Sequence, residues 1–263
     1  MRGLSGVLAF EDRGRGPLIA LLHGFTQSGR MLSAIAAALS SQYRARTIDL
    51  PGHGASRAVI GDLPATAREV RAVLDEPAAV IGYSMGGRVA LRLALDHPTE
   101  VRALALIGAS PGLADPRARA ERRDADAALA DRLEQIGLPA FLDEWLAQPI
   151  FAGLPPAAQA REARLANDAR ALAAALRALG TGAQEPLWDR LSELTMPVLL
   201  LTGERDLKLT AVAESMSRSI RAPLTQVIIP GAGHAVPFEQ PEACVRALSA
   251  WLGAVGAPAS GAI

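Results

Sequence analysis

Three residues carry the chemistry this chain can be read for: Ser84, Asp206 and His234. A serine hydroxyl is a weak nucleophile and a weak base near neutral pH. It becomes useful when a histidine takes its proton and a carboxylate orients that histidine. Ser84 lies in Gly82-Tyr83-Ser84-Met85-Gly86, a G-x-S-x-G pentapeptide. The apolar run Ala79-Val80-Ile81 precedes it, and Arg88 to Leu95 follows with helical periodicity. A strand, a tight turn and a helix make a nucleophile elbow, in which side chains at the two glycines would collide with neighbouring backbone. The same pattern also describes an ordinary turn with an incidental serine, so its partners must decide.

Two downstream loops supply those partners. The strand-like run Pro197 to Gly203 ends in Glu204-Arg205-Asp206, and Thr225 to Ile229 ends in Pro230-Gly231-Ala232-Gly233-His234. Functional groups of parallel α/β sheets gather on loops beyond the C-terminal strand ends. Asp206 is preferred over Glu204 as the orienting carboxylate because of its spacing after the strand. Its competing role is a turn residue or helix cap, and His234 could be an ordinary loop histidine. The backbone N–H groups of Met85 and Phe25, the latter in His23-Gly24-Phe25, are the expected oxyanion hole. His23 reads as a packing or hydrogen-bonding residue, and His97, before Pro98, as structural.

The elements that must position these groups alternate along the chain. Strands are expected at Gly6–Glu11, Leu18–Leu22, Arg46–Leu50, the elbow strand, Val101–Ile107, Pro197–Gly203 and Thr225–Ile229. Helices are expected at Arg30–Ser41, Pro64–Leu74, Arg88–Leu95, Thr210–Ile220 and Pro241–Leu252, with a frayed tail from Gly253. This alternation predicts an α/β fold: a mostly parallel sheet with helices on both faces. Between Pro111 and Pro186 the strand signal vanishes. Helices are predicted there at Arg117–Leu133, from Pro139 to Trp145, and as one long element at Ala157–Leu179. Core segments 1–110 and 187–263 with an inserted helical cap at 111–186 are the expected organisation.

Basic and acidic residues balance at 27 each and half the chain is hydrophobic, which argues against a nucleic-acid surface, a membrane coat or disorder. No apolar run approaches a membrane span, and the first residues lack a signal-peptide core. A cytoplasmic enzyme, monomeric or weakly dimeric, is expected. Cys244 is the single cysteine, so neither an internal disulfide nor a cysteine metal cluster is expected, and no cofactor is implied. Lys208 is the single lysine among the 27 basic residues, so arginine is the default cation of this chain.

With these pieces in place, the chain resembles the α/β-hydrolases that carry a helical cap. Within them it resembles the menaquinone-pathway 2-succinyl-6-hydroxy-2,4-cyclohexadiene-1-carboxylate synthases. The shared pieces are Leu22-His23-Gly24-Phe25, Asp49-Leu50-Pro51-Gly52-His53-Gly54, Gly82 to Arg88, Ser110-Pro111-Gly112-Leu113, Arg122 to Asp126, Trp145 to Phe151, Arg164 and Glu204-Arg205-Asp206. The resemblance implies an elimination that releases pyruvate from a small polycarboxylate, with Ser84 as general base. It also implies carboxylate-binding roles for Arg88, Arg122 and Arg164, a polar handle at Tyr83 and an apolar wall at Trp145. A carboxylesterase or C–C bond hydrolase would use the same triad, and a non-catalytic binding protein would have no need of all three of its residues.

Overall fold

The computed structural model describes residues 2–5, 8–59 and 61–256. Its centre is the run Leu18–Leu22 (β3), buried at every position. Leu18, Ala20 and Leu22 face one apolar cluster, and Ile19 and Leu21 face another on the opposite side. That alternation is the signature of a strand covered on both faces. Around it lie β1 (Arg2–Ser5), β2 (Leu8–Arg13), β4 (Arg44–Ile48), β5 (Ala78–Tyr83), β6 (Val101–Ile107), β7 (Val198–Gly203) and β8 (Leu224–Ile229). The eight strands run in the order β1-β2-β4-β3-β5-β6-β7-β8. Only the β1–β2 and β2–β4 pairs are antiparallel. From β4 to β8 every pair is parallel, as the strand–helix alternation predicts.

Helices α1 (Ser33–Leu39), α2 (Leu63–Ala72), α3 (Met85–Asp96), α7 (Leu207–Ser217), α8 (Val236–Glu239) and α9 (Pro241–Gly256) accompany the sheet. The segment between β6 and β7 carries α4 (Pro116–Leu146), α5 (Arg161–Leu165) and α6 (Ala169–Leu179). Local chemistry starts these helices. Asp115, Asp62 and Asp168 each accept a bond from an amide in the first turn of the helix that follows. α4 and α6 join around their own apolar cluster, with Phe141, Leu142 and Leu172 fully buried. Truncating Phe141 to alanine there is expected to cost about 3–5 kcal/mol.

The structure departs from the sequence reading in several places. β1 was not expected; Arg-Gly-Leu-Ser carries no apolar alternation, and its place comes from pairing with β2. The opening strand spans Leu8–Arg13, while Gly6 and Val7 lie outside the described residues. The single helix expected at 157–179 is broken. Ala160 takes a positive φ, and Asp168 ends the intervening segment by capping α6. By contrast, the two helices expected over 117–145 are both present, because α4 is broken at Gly137, whose φ of 77° and ψ of 163° are non-helical. α7 begins three residues earlier than expected because Asp206 caps it. α9 continues to Gly256, and the rest of the expected tail, 257–263, lies outside the described residues.

Candidate active site

β5, a central strand, delivers Ser84 just past its C-terminal end, and α3 leaves immediately after it. Ser84 has φ 53° and ψ −112°, a strained conformation for a residue with a side chain. The strain is imposed by close packing. A Cβ on Gly82 would lie 2.4 Å from the Gly86 carbonyl, and one on Gly86 would lie 2.3 Å from that of Leu22. Ser84 Oγ and His234 Nε2 are 3.0 Å apart. On the far side of the ring, His234 Nδ1 is 2.7 Å from Asp206 Oδ2.

Asp206 performs both tasks that the sequence offered as alternatives. Oδ1 accepts from the Leu209 amide at 3.1 Å and caps α7, while Oδ2 meets His234. Burial works to raise its carboxyl, but the hydrogen bond and charge of His234 outweigh that, and the net shift is downward. Glu204, the competing carboxylate, turns away and accepts from the Gly231 amide at 2.8 Å. Asp206 is therefore the residue that the loop aims at the histidine.

The expected oxyanion donors flank Ser84. Met85 is the first residue of α3, where amides have no intrahelical acceptor. In the other loop, the Gly24 amide donates to Gln27 Oε1 at 2.9 Å and the Thr26 amide to His53 Nε2 at 3.2 Å. Between them, the Phe25 amide has no acceptor among the described residues. His23 and His53 are fully buried supports. The Nε2 of His23 accepts from the Leu50 amide at 3.0 Å, and burial depresses the two rings to about 4 and about 3.

All ten residues singled out from the sequence line one cavity of about 970 Å³: Phe25, Tyr83, Ser84, Met85, Arg88, Arg122, Trp145, Arg164, Asp206 and His234. Arg88 extends from the first turn of α3, its amide bonded to the Ser84 carbonyl at 3.2 Å. Its guanidinium is buried and donates to Gln184 Oε1 at 3.2 Å. Arg164 is 1% exposed and donates to Gln159 O at 2.8 Å and to Thr26 Oγ1. Burial lowers both arginines to about 10. Neither forms a salt bridge among the described residues, whereas Arg44, Arg132, Arg161, Arg177 and Arg190 all do. Arg122 differs. It is half-exposed and paired with Asp126 at 2.7 Å. Tyr83 is buried beside the His234 ring, 5.6 Å between centroids, and burial pushes its phenol up. Trp145 meets Phe25 edge-on at 5.3 Å, and its buried Nε1 has no hydrogen-bond partner among the described residues.

Some residues that organise the site were not read from the sequence. Gln184 holds Arg88, and Asn167 ties the segment after α5 to two core loops. Asp126 accepts from the Gly182 amide at 3.0 Å and acts by charge on Arg88. Polar side chains in a helical region carry no spacing signal of their own, so only the fold identifies them. Among the described residues no group of histidine, cysteine and carboxylate side chains is arranged to hold a metal. None of the helices there is long and apolar enough to cross a membrane.

Residues 19–247 match the alpha/beta hydrolase family. The 2-succinyl-6-hydroxy-2,4-cyclohexadiene-1-carboxylate synthase of Salmonella agona (strain SL483) is 35% identical over 242 residues, covering 89% of this chain and 92% of that protein. The structure of MenH from S. aureus superimposes with a TM-score of 0.89 at 30% identity, covering 96% of this chain and all of that one. A thermophilic esterase from Thermogutta terrifontis, solved with malate bound, follows with a TM-score of 0.83 at 29% identity, covering 95% of this chain and 94% of that one. The chain belongs to the alpha/beta hydrolase family, in the branch of the 2-succinyl-6-hydroxy-2,4-cyclohexadiene-1-carboxylate synthases.

Proposed function

We propose that the chain is a carbon–oxygen lyase. It eliminates pyruvate from 2-succinyl-5-enolpyruvyl-6-hydroxy-3-cyclohexene-1-carboxylate to give 2-succinyl-6-hydroxy-2,4-cyclohexadiene-1-carboxylate. The observation that carries this reading is the pair Arg88 and Arg164: two buried guanidiniums in the triad's cavity, neither paired with a carboxylate among the described residues. A desolvated cation without an anion is costly, and a ligand carboxylate relieves that cost. A substrate with three carboxylates fits such a site, and arginine binds each in bidentate fashion.

In this mechanism Ser84 Oγ removes a proton from a ring carbon while His234 takes the hydroxyl proton, with Asp206 stabilising the imidazolium. The electron pair becomes the enolate of the succinyl ketone, whose oxygen is held by the Phe25 and Met85 amides. Collapse of the enolate shifts the ring double bond and breaks the C–O bond, expelling the enolate of pyruvate, which takes on carbon the proton held by His234. No acyl-enzyme is formed. The segment 111–186 serves as a cap that brings Arg122, Trp145 and Arg164 to the substrate. The partner is a small polycarboxylate rather than nucleic acid or membrane. The setting is cytoplasmic, and the protein is a monomer or weak homodimer.

A carboxylesterase is the second reading, favoured by the full Ser84–His234–Asp206 relay and by the likeness to the Thermogutta esterase. Pyruvate release from the enolpyruvyl cyclohexene, assayed beside hydrolysis of a short-chain nitrophenyl ester, separates the two. Rapid pyruvate release with slow ester turnover is expected. Fast ester cleavage without pyruvate would reverse the assignment.

A further inference from the structure

Thr26 is one of three non-glycine residues with positive φ among the described residues, at +65°. It sits in the turn closed by the Gln27 amide on the Gly24 carbonyl at 3.2 Å, directly after Phe25. A β-branched side chain in the left-handed region is strained and persists only where its surroundings over-determine it. Here three groups do so. His53 Nε2 accepts from the Thr26 amide at 3.2 Å, Asn167 Nδ2 donates to the Thr26 carbonyl at 2.9 Å, and Arg164 donates to the Thr26 hydroxyl. Two of the three come from the segment inserted between β6 and β7.

Asn167 is the pivot of this arrangement. It is 9% exposed, and its amide is used at both ends. Nδ2 also donates to the Arg164 carbonyl at 3.0 Å, and Oδ1 accepts from the Gly54 amide at 2.8 Å. One side chain therefore joins the Phe25 turn, the Pro51–Ser56 loop and the segment carrying Arg164. We infer that Asn167 is a positioning residue for the oxyanion hole: by holding Thr26 in its strained conformation, it fixes the direction of the Phe25 amide. Preorganised donors owe their effect to exact placement, and a shift of about 1 Å can cost about 100-fold in rate. The inserted segment thus completes the catalytic floor as well as enclosing the cavity. The inference rests on reading the Phe25 and Met85 amides as the oxyanion hole, which lyase and esterase mechanisms share.

The test uses Asn167→Ala, Asn167→Asp, Thr26→Gly and the Asn167→Ala/Thr26→Gly double variant. Readouts are kcat and KM for pyruvate release and for a nitrophenyl ester, and the affinity of benzyl trifluoromethyl ketone. That ketone adds Ser84 Oγ at its carbonyl carbon, passes the serine proton to His234, and leaves an oxyanion in the hole. Asn167→Ala is expected to lower kcat by about 10- to 100-fold with KM changed less than about threefold, and to weaken the ketone by a matching factor. Asn167→Asp, which keeps the volume but turns oxygens toward two carbonyls, gives the same pattern if the alanine variant fails to fold. Glycine at position 26 adopts the positive φ without strain, so in that background Asn167→Ala should cost less than about threefold. Unchanged kcat, a loss confined to KM, or an equal loss in both backgrounds overturns the inference. Ser84→Ala separates the two levels: if it leaves turnover intact, the triad reading fails, not only the role of Asn167.

Discussion

Two sets of side chains in the cavity are built on opposite principles. The triad satisfies itself: hydroxyl meets imidazole, imidazole meets carboxylate, and the second carboxylate oxygen caps a helix. The buried arginines do not. Arg88 and Arg164 donate hydrogen bonds to neutral groups and form no salt bridge among the described residues, although Asp126 acts on Arg88 by charge and arginines on the surface of the same protein find carboxylates readily. In an arginine-rich chain the presence of a cation says little, but its burial without a salt bridge says a great deal. One set is finished by folding, and the other is finished by an anion.

The largest effect that could break this contrast is at Ser84. Ser84→Ala is expected to lower turnover at least about 1,000-fold on either substrate while leaving stability within about 0.5 kcal/mol. Asp206 offers a finer cut. Asp206→Asn retains the cap on Leu209 but loses the charge on His234, so kcat should fall about 10³- to 10⁴-fold with stability nearly unchanged. Asp206→Ala should add a further stability loss of about 1 kcal/mol, measured by urea unfolding, because the cap goes too. Equal stability for the two variants would show that the cap contributes nothing.

At the buried arginines the sign of the stability change reverses. Arg88→Met removes a buried charge that has no salt bridge and is expected to stabilise the free protein by about 1 kcal/mol or more in the same unfolding assay. A destabilised variant would mean that Gln184 and Asp126 already compensate the charge. Arg122→Ala should do least to activity, a change of a few-fold in KM, since its guanidinium is half-exposed and already paired with Asp126.

The buried histidines under the oxyanion loop give a pH signature. Their folded-state values, about 4 for His23 and about 3 for His53, lie below the ordinary 6.5. The unfolded chain therefore binds protons that the folded chain refuses, and stability is lost as pH falls below 6.5. Urea midpoints should decline between pH 6.5 and 5, above the range where carboxylates titrate. A flat midpoint across that window would contradict the neutral, buried rings.

Legibility followed the same division. β3, β5 and β7 are built on apolar runs, and each ends at a loop that holds a functional residue, so fold and triad could be read together. Phe25 and Met85 followed from their place beside those strands. The arginines could be listed, but not sorted. Arg88 stands one helical turn after Ser84, but Arg122 could not be told from its neighbours Arg119 and Arg123, and only the fold buries Arg88 and leaves Arg122 half-exposed beside Asp126. Among the inserted helices only 157–179 departs from the sequence pattern, where small residues blur the period. Ala-rich sequence at 157–179 reads as one helix, while the break lies at Ala160, with its positive φ, and at Asn167 and Asp168, which accept from the Gly54 amide and cap α6 respectively. β1 escaped because an antiparallel edge strand needs a neighbour more than an apolar pattern.

The most direct test of the central claim is the ratio of two activities in Arg88→Met. kcat/KM for pyruvate release from the enolpyruvyl cyclohexene should fall about 10- to 100-fold, the worth of a charged hydrogen-bonded contact. Hydrolysis of a neutral nitrophenyl ester by the same protein should stay within about threefold of the parent. If both activities fall together, Arg88 supports the serine rather than the substrate, and the division of the cavity into a self-satisfied triad and anion-completed arginines is wrong.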